Sequence, residues 1–161
     1  MHNPYSAIID LLESHKIPFE IIEHEPVFTS DQAATVRGIT ADAGAKSLLL
    51  NADGKFVLCI LPGSARLDSK KVKKLLGAKN LRFAKPEEVL AVMGCEVGSC
   101  YPFGNLLGIT TFVDPSLSKH EIISFSTGVH TKSIKMQWKD YEKITKPNLT
   151  TICVEENETD V

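Results

Sequence analysis

The sequence has no long hydrophobic run and no sign of an export signal. None of its apolar stretches approaches the roughly 20 residues that a membrane-spanning helix needs. Residues 1–4 lack the basic start and the apolar stretch of a signal peptide. We therefore expect a cytosolic protein without a membrane partner, in which the four cysteines stay reduced.

Motifs for phosphate, dinucleotide and zinc chemistry are also missing. The chain contains no glycine-rich Walker loop, no dinucleotide fingerprint and no HExxH. Cys95 and Cys100 are separated by four residues and have no further ligand cluster nearby, which disfavours a zinc site. The pattern implies neither a metal nor an organic cofactor. The net charge of -2 means that any RNA contact has to come from a local patch.

Length and composition predict one globular domain over residues 1–161, with a polar acidic tail at about 155–161. Capping residues and glycines predict helices over 3–15, 30–38, 68–77 and 86–94, with Ser30 as the N-cap of the second. Apolar runs predict strands over 19–23, 47–50, 56–61, 109–113, 121–125 and 133–138, and residues 140–144 stay unassigned. A hairpin turn at 51–54 favours a mixed or antiparallel sheet wrapped by helices.

A lysine stands directly before one of the apolar strands. Lys46 follows the small residues 43–45 and precedes the apolar run 47–50. A lysine at the mouth of a buried strand can pack its stem along apolar surface and aim its ammonium into a cleft. The alternative is a lysine at a strand end that points into water.

The stretch 94–104 contains three glycines and a proline, so it is not a regular helix or strand. Val97, Tyr101 and Phe103 make it too apolar for an ordinary surface loop. Glycines expose backbone N–H groups that can bind an oxyanion or a phosphate. The alternative is a structural turn anchored by Phe103.

Two further segments contain polar residues of interest. Segment 126–131 has small hydroxyl residues, a glycine and His130, which can titrate near neutral pH or serve only as a hydrogen-bonding loop residue. His24 leaves the same two interpretations open. In the helix predicted over 68–77, Lys70 shares a face with Lys73 and Lys74, which predicts either a phosphate contact or a solvated surface.

These segments together resemble the YbaK-like proteins, which are related to the editing domain inserted in bacterial prolyl-tRNA synthetases. The resemblance runs over about residues 17–144. It depends on Lys46 before an apolar strand, on the loop 98–104 and on segment 126–130 followed by a strand. The early segment 24–29 is also similar. The order and spacing of these pieces, more than any one piece, make the resemblance specific.

The resemblance implies an α/β fold of the mixed α+β kind, with a mixed, partly barrel-like sheet surrounded by short helices. It also implies a trans-editing deacylase that hydrolyses the ester bond of mischarged tRNA, with tRNA for proline carrying cysteine or alanine as the candidate substrate. The acceptor end of aminoacyl-tRNA is the expected partner, and an aminoacyl-tRNA synthetase is a second. The implied site has catalytic Lys46, substrate-binding His24, Thr29, Gly98, Ser99, Cys100, Tyr101, Pro102, Phe103, Gly104, Ser126, Gly128 and His130, and tRNA-contacting Lys70, Lys71, Lys73 and Lys74.

Such a site needs no covalent nucleophile, because an aminoacyl ester is already activated. Lys46 would place a positive charge beside the carbonyl or the terminal phosphate, and N–H groups of the loop 98–104 would bind the oxyanion. Water or a group of the substrate would attack. Phe28, Leu61 and Phe103 are candidate walls of a pocket that excludes larger amino acids.

Two alternatives belong to other classes. Cys100 and His130 could form a cysteine hydrolase, which requires a contact between them and a lowered thiol pKa. The domain could instead bind aminoacyl-tRNA or a nucleotide without catalysis.

Overall fold

The computed structural model describes residues 3–155, so the predicted tail beyond Glu155 lies outside the described residues. Five helices and eight strands make up the fold. The helices are α1 (Pro4–Ser14), α2 (Ser30–Arg37), α3 (Ser69–Leu76), α4 (Pro86–Met93) and α5 (Trp138–Thr145). The strands are β1 (Phe19–Glu23), β2 (Gly44–Ala52), β3 (Lys55–Pro62), β4 (Leu81–Phe83), β5 (Thr110–Val113), β6 (Ile122–Ser126), β7 (Lys132–Gln137) and β8 (Asn148–Leu149).

Local capping signals place the helix ends where the sequence predicts them. The Asn3 side chain accepts from the Ser6 N–H at the start of α1, and Asp68 caps α3 in the same way. Helices α2 and α3 end at Gly38 and Gly77, which adopt left-handed φ values of 69° and 62°. Such values favour glycine because it has no Cβ.

Several local predictions were wrong. The N-cap of α2 is Thr29, whose hydroxyl accepts from the Gln32 N–H at 3.1 Å, and Ser30 is the first helical residue. Trp138 begins α5 and does not end a strand, because its side chain turns into the core beside Tyr141. The short strands β4 and β8 were missed, since three and two residues give too little periodicity to detect. Strand β2 begins at Gly44, so Lys46 lies inside the strand and not directly before it.

The central strand of the sheet is β2. The strand order is β1-β7-β6-β2-β3-β5-β8, and β4 pairs with the far end of β2. Strands β2 and β3 form the predicted hairpin, whereas β2 runs parallel to β6 through its first two residues. The mixed α+β prediction is confirmed, but the sheet is open, with β1 and β8 at its two ends, and does not close into a barrel.

The sheet separates two hydrophobic cores. Alternation along β3 sends Leu58 and Ile60 to one face and Val57, Cys59 and Leu61 to the other. The first core gathers Ile8, Leu12, Phe103, Phe125 and Tyr141, and the second gathers Val72, Phe112 and Ile152. In β2, Ala45 and Leu49 belong to the first core and Leu50 and Ala52 to the second, so packing on both faces holds the strand that begins at the candidate site. Over residues 3–155, no helix is long and apolar enough to cross a membrane.

Candidate active site

A cavity of about 360 Å³ opens beside the start of β2. Its walls come from α2, from the first residues of β2 and from the loop after α4. The cavity is lined by Val27, Phe28, Thr29, Ser30, Ala33, Ala34, Arg37, Ala41, Gly44, Ala45, Lys46, Ser47, Leu48, Leu49, Gly63, Phe83, Ala84, Val89, Val97, Gly98, Cys100 and Ser126. Lys46, Thr29, Gly98, Cys100 and Ser126 are therefore brought together here.

Lys46 lines the cavity and is half-buried. Its ammonium donates to the backbone carbonyls of Gly63 at 3.3 Å and Ala65 at 2.5 Å. These carbonyls follow β3, the strand that pairs with Lys46 in the hairpin. Burial lowers the pKa of Lys46 below the ordinary lysine value. A lysine ammonium has three N–H donors, so one remains for a ligand.

The loop 98–104 is divided between the cavity and the core. Gly98 and Cys100 line the cavity, and Gly98 has a φ of 95°, which a residue with a Cβ rarely adopts. The other five members of the predicted set, Ser99, Tyr101, Pro102, Phe103 and Gly104, are buried and are absent from the cavity wall.

Those five residues have packing partners of their own. The Tyr101 hydroxyl donates to the Met93 carbonyl at 2.8 Å, and the Pro102 carbonyl accepts from the Tyr141 hydroxyl at 2.7 Å. Phe103 packs edge-on against Phe125 with ring centroids 5.3 Å apart. The Ser99 hydroxyl donates to the Glu96 carbonyl, and a Cβ at Gly104 would collide with Thr111. Leu61, a predicted wall, lies in the second core, so Phe28 is the one predicted wall that lines the cavity.

His130 lies behind the cavity wall beside Gly98. Its Nε2 is 3.5 Å from the Glu96 carboxylate, and its ring centroid is 5.2 Å from that of Phe28. A Cβ on Gly98 would stand 3.7 Å from the His130 ring. Its buried Nδ1 has no hydrogen-bond partner among the residues that the structure describes. Gly128, from the same segment, packs against Pro4, where a Cβ would come within 2.9 Å.

Arg37 is a cavity residue that the sequence analysis missed. It is 6% exposed, and its guanidinium donates to the hydroxyls of Ser133, Ser124 and Ser126 at 2.9, 3.3 and 3.1 Å. His24 joins the same network through a 2.8 Å contact between its Nε2 and the Ser133 hydroxyl. Burial lowers the pKa of Arg37 to about 10, so it stays charged at neutral pH.

The signal that could have revealed Arg37 is helical spacing. Ser30, Ala33, Ala34 and Arg37 recur at i, i+3, i+4 and i+7, which places them on one face of α2. Three small residues followed by an arginine would be an unusual core face. Ser47 was also missed. Its hydroxyl is buried in the cavity wall without a hydrogen-bond partner among the described residues.

Cys95 and Cys100 lie together, and neither has a hydrogen bond with His130 among the described residues. The Cys95 and Cys100 sulfurs are 3.9 Å apart, and no hydrogen bond joins Cys100 to His130 within the described part of the chain. The hydrogen bond with Cys95, together with burial, raises the pKa of the Cys100 thiol. A raised pKa leaves Cys100 protonated at neutral pH, which does not suit a nucleophile.

The lysines of α3 lie outside the cavity wall. Lys70, Lys73 and Lys74 are exposed. Lys71 is partly buried and lies 3.8 Å from the Glu155 carboxylate. The four residues therefore form a basic surface beside the second core, on a different element from every cavity residue.

Sequence comparisons with known proteins all point to the same family. The family model described as the aminoacyl-tRNA editing domain matches residues 24–144. Multifunctional Ser/Thr-tRNA deacylase ProXp-y of Escherichia coli (strain K12) is 28% identical over 150 residues, 90% of each chain. Prolyl-tRNA editing protein ProX of Acetoanaerobium sticklandii is 27% identical over 148 residues, 88% of this chain and 90% of that protein. A proline–tRNA ligase of Halalkalibacterium halodurans is 36% identical over 115 residues, which cover 68% of this chain and 19% of the ligase.

Solved structures of other proteins have the same fold as this chain. A crystal structure provisionally assigned as a trans-editing enzyme for prolyl tRNA synthetase superposes with a TM-score of 0.81 at 22% identity, covering 96% of this chain and 100% of that one. The crystal structure of hypothetical protein APE2540 gives a TM-score of 0.82 at 20% identity, with 91% and 99% covered. Because the family model spans most of the chain and includes the cavity residues from Val27 to Ser126, this protein belongs to the aminoacyl-tRNA editing domain family.

Proposed function

We propose that this protein is a trans-editing deacylase that hydrolyses the ester bond between a wrong amino acid and the terminal ribose of tRNA. The observation that supports this most strongly is the cavity itself, in which Lys46 and Gly98 line the same space. We infer that an ester carbonyl in that space would lie near the positive charge of Lys46 and a backbone N–H group of the loop at Gly98. Both are groups that stabilise an oxyanion.

Lys46 would act by charge and position. Two of its N–H donors are held by the carbonyls of Gly63 and Ala65, and the third can reach a carbonyl or phosphate oxygen of the substrate. Rigid placement matters because a preorganised donor needs no reorganisation when negative charge develops on the carbonyl oxygen. The protonated ammonium has no lone pair, so it is not the base.

The attacking group would come from water or from the substrate. An aminoacyl ester is activated, so the site has to position the carbonyl and an oxygen nucleophile more than it has to supply a side chain for attack. A hydroxyl of the terminal ribose can orient a water molecule. With a cysteinyl substrate, the substrate thiol can attack.

Cavity size would set which amino acid is removed. The α2 wall includes the small residues Ser30, Ala33 and Ala34, and the cavity has to hold the aminoacyl group and part of the ribose within about 360 Å³. Alanine, cysteine, serine and threonine are candidates, and tRNA for proline is the candidate carrier. A hydrophobic pocket discriminates one methylene by only about 1–3 kcal/mol, so proline has to be excluded sterically from a site for alanine, cysteine or serine. Threonine has as many heavy atoms as proline, so its selection over proline would need a polar contact.

The deciding experiment is a deacylation panel. Purified protein is mixed with tRNA for proline charged separately with alanine, cysteine, serine, threonine or proline, and the release of labelled amino acid is followed over time. We expect cleavage of at least one of the four small esters and sparing of prolyl-tRNA. Binding of these tRNAs without cleavage of any ester would instead identify a non-catalytic binding module.

The basic surface of α3 would contact the acceptor stem. Phosphate contacts by lysine make binding depend on salt, because bound counterions are released. Replacing Lys70, Lys73 and Lys74 with glutamine should raise KM and flatten its dependence on salt concentration. The matched control replaces three lysines at or beside α5, namely Lys139, Lys143 and Lys146. Equal salt dependence in both triple variants would argue against the α3 contact.

A further inference from the structure

The serine network around Arg37 leaves part of its guanidinium unused. An arginine side chain has five N–H donors. The Nε donor goes to Ser133, one Nη1 donor goes to Ser124 and one Nη2 donor goes to Ser126. One N–H group on each of the two Nη atoms is therefore available at a residue that lines the cavity.

The charge of Arg37 is also unpaired. No carboxylate forms an ion pair with it among residues 3–155, although the side chain is 6% exposed. Burying a charged group without a partner of opposite charge is costly, and neutral hydroxyls offset that cost only in part. A residue held at this cost in a cavity wall is a candidate for a role in ligand binding.

The groups around Arg37 indicate what kind of ligand fits. Along α2 the wall changes from the small residues Ser30, Ala33 and Ala34 to Arg37, whose guanidinium is hydrogen-bonded to Ser126 of the same wall. Ser47 lines the same cavity, and its buried hydroxyl has no hydrogen-bond partner among the described residues. Small walls with unused polar groups suit a compact side chain that carries an oxygen atom. A methyl group would leave these donors unpaired.

We propose that Arg37 is a specificity-determining residue, which donates a hydrogen bond to the side-chain hydroxyl of the amino acid being removed. This inference rests on the proposed deacylase function and narrows its substrate class to seryl and threonyl esters. A site built to hydrogen-bond a substrate hydroxyl disfavours an analogue without it, because the buried polar groups of the protein are then left unpaired. Alanyl and 2-aminobutyryl esters, which lack only that hydroxyl, should be poor substrates.

Binding can be tested without relying on catalysis. The probes are non-hydrolysable amides in which a seryl or an alanyl group is joined to 3′-amino-3′-deoxyadenosine, and calorimetry measures their affinities. We expect the wild-type protein to bind the seryl amide at least about tenfold more tightly than the alanyl amide, as for a hydrogen bond from a charged donor. Equal affinities in the wild-type protein would overturn the proposal whether or not the protein cleaves esters.

Variants separate recognition from a structural role. Arg37→Met removes the donors and keeps a long side chain, Arg37→Lys keeps a charge, and Arg66→Met is the control at an exposed arginine outside the cavity. Arg37→Met should bring the seryl-to-alanyl affinity ratio close to one, Arg37→Lys should restore part of it, and Arg66→Met should leave it unchanged. If Arg37 only holds the fold together, both amides will weaken equally and the ratio will persist.

Deacylation kinetics distinguish the deacylase proposal from the role proposed for Arg37. The ratio of kcat/KM for seryl-tRNA over alanyl-tRNA should fall at least about tenfold in Arg37→Met, in parallel with the binding ratio. If the wild-type protein prefers the seryl amide but cleaves no ester, the deacylase proposal fails and Arg37 recognition stands. If the protein cleaves alanyl-tRNA as fast as seryl-tRNA, the deacylase proposal is supported and the role proposed for Arg37 is contradicted.

Discussion

Lys46 and Arg37 line the same cavity but are held in different ways. Lys46 is half-buried, and its ammonium donates hydrogen bonds to two backbone carbonyls. Arg37 is buried, and its guanidinium donates hydrogen bonds to three serine hydroxyls. The carbonyls that hold Lys46 follow a hairpin strand, so the backbone fixes the ammonium. Side chains from β6 and β7 fix the guanidinium.

This difference suggests a division of labour between the two cations. The partners of Lys46 are main-chain atoms, which no side-chain substitution removes, as suits a group needed for every substrate. The hydroxyls that hold Arg37 come from serines, so substitution can change that end of the cavity. We therefore expect Lys46 to govern the rate with all amino acids and Arg37 to govern the choice among them.

The largest expected effect is on the rate. Lys46→Met should lower kcat/KM for every cleaved aminoacyl-tRNA by about 100-fold or more, as expected when one preorganised donor to an oxyanion is lost. The seryl-to-alanyl ratio should stay near its wild-type value. Single-turnover deacylation measures both quantities, and circular dichroism checks the fold. Lys55→Met, at an exposed lysine at the start of β3, is the control.

Two outcomes of that experiment would contradict the roles assigned to Lys46 and Arg37. Near wild-type turnover in a folded Lys46→Met variant would remove its catalytic role. A change in amino acid preference without a loss of rate would exchange the roles assigned to the two cations.

A smaller effect is expected from a substitution in the loop 98–104, which lines the same cavity as Lys46 and Arg37. Gly98→Ala should lower kcat about tenfold for all substrates, because a Cβ strains the backbone at a φ of 95° and displaces the N–H groups. Gly77→Ala is the matched control, since that glycine also has a positive φ, of 62°, but ends α3 outside the cavity wall.

Both glycine variants should lose about 1–2 kcal/mol of unfolding free energy, measured by urea denaturation. If Gly77→Ala slows deacylation as much as Gly98→Ala does, the loss reflects stability and the loop has no special role in the reaction.

The pH dependence provides a third test, with a severalfold effect. An ammonium is charged below its pKa, and burial lowers the pKa of Lys46 from the ordinary value of about 10.4. The rate, corrected for spontaneous ester hydrolysis, should therefore fall as pH rises through that lowered pKa. Lys46→Arg keeps its charge to higher pH, so any activity it retains should fall later. A wild-type rate that rises throughout this range would indicate that neutral Lys46 is the active form.

The smallest effect is expected at Cys100. Cys100→Ser should keep deacylation within about threefold of wild type, because the hydrogen bond with Cys95 and burial raise the pKa of the Cys100 thiol and keep it protonated. Steady-state rates with a seryl ester would measure this. Loss of all activity in Cys100→Ser, together with activity in Lys46→Met, would favour the cysteine hydrolase instead.

The sequence predicted α1 to α4 because their ends are local events, whereas α5 was left unassigned. Asn3, Gly38 and Gly77 act on groups within a few residues, so their effect is readable from neighbours alone. The hairpin between β2 and β3 was predicted for the same reason. The open sheet could not be predicted, because closure depends on whether the distant end strands β1 and β8 pair.

For the candidate site, the sequence by itself placed Lys46 before a buried strand and a glycine-rich loop farther along the chain. Only the tertiary structure decided which loop residues face the cavity, and it sent Tyr101 and Phe103 into the core because their large side chains bury more surface there. It also brought Arg37 to Ser133, 96 residues away, to complete a polar wall. Helix caps and turns depend on neighbours in sequence, whereas a cavity depends on neighbours in space, and the packing of α2 on the sheet supplied them.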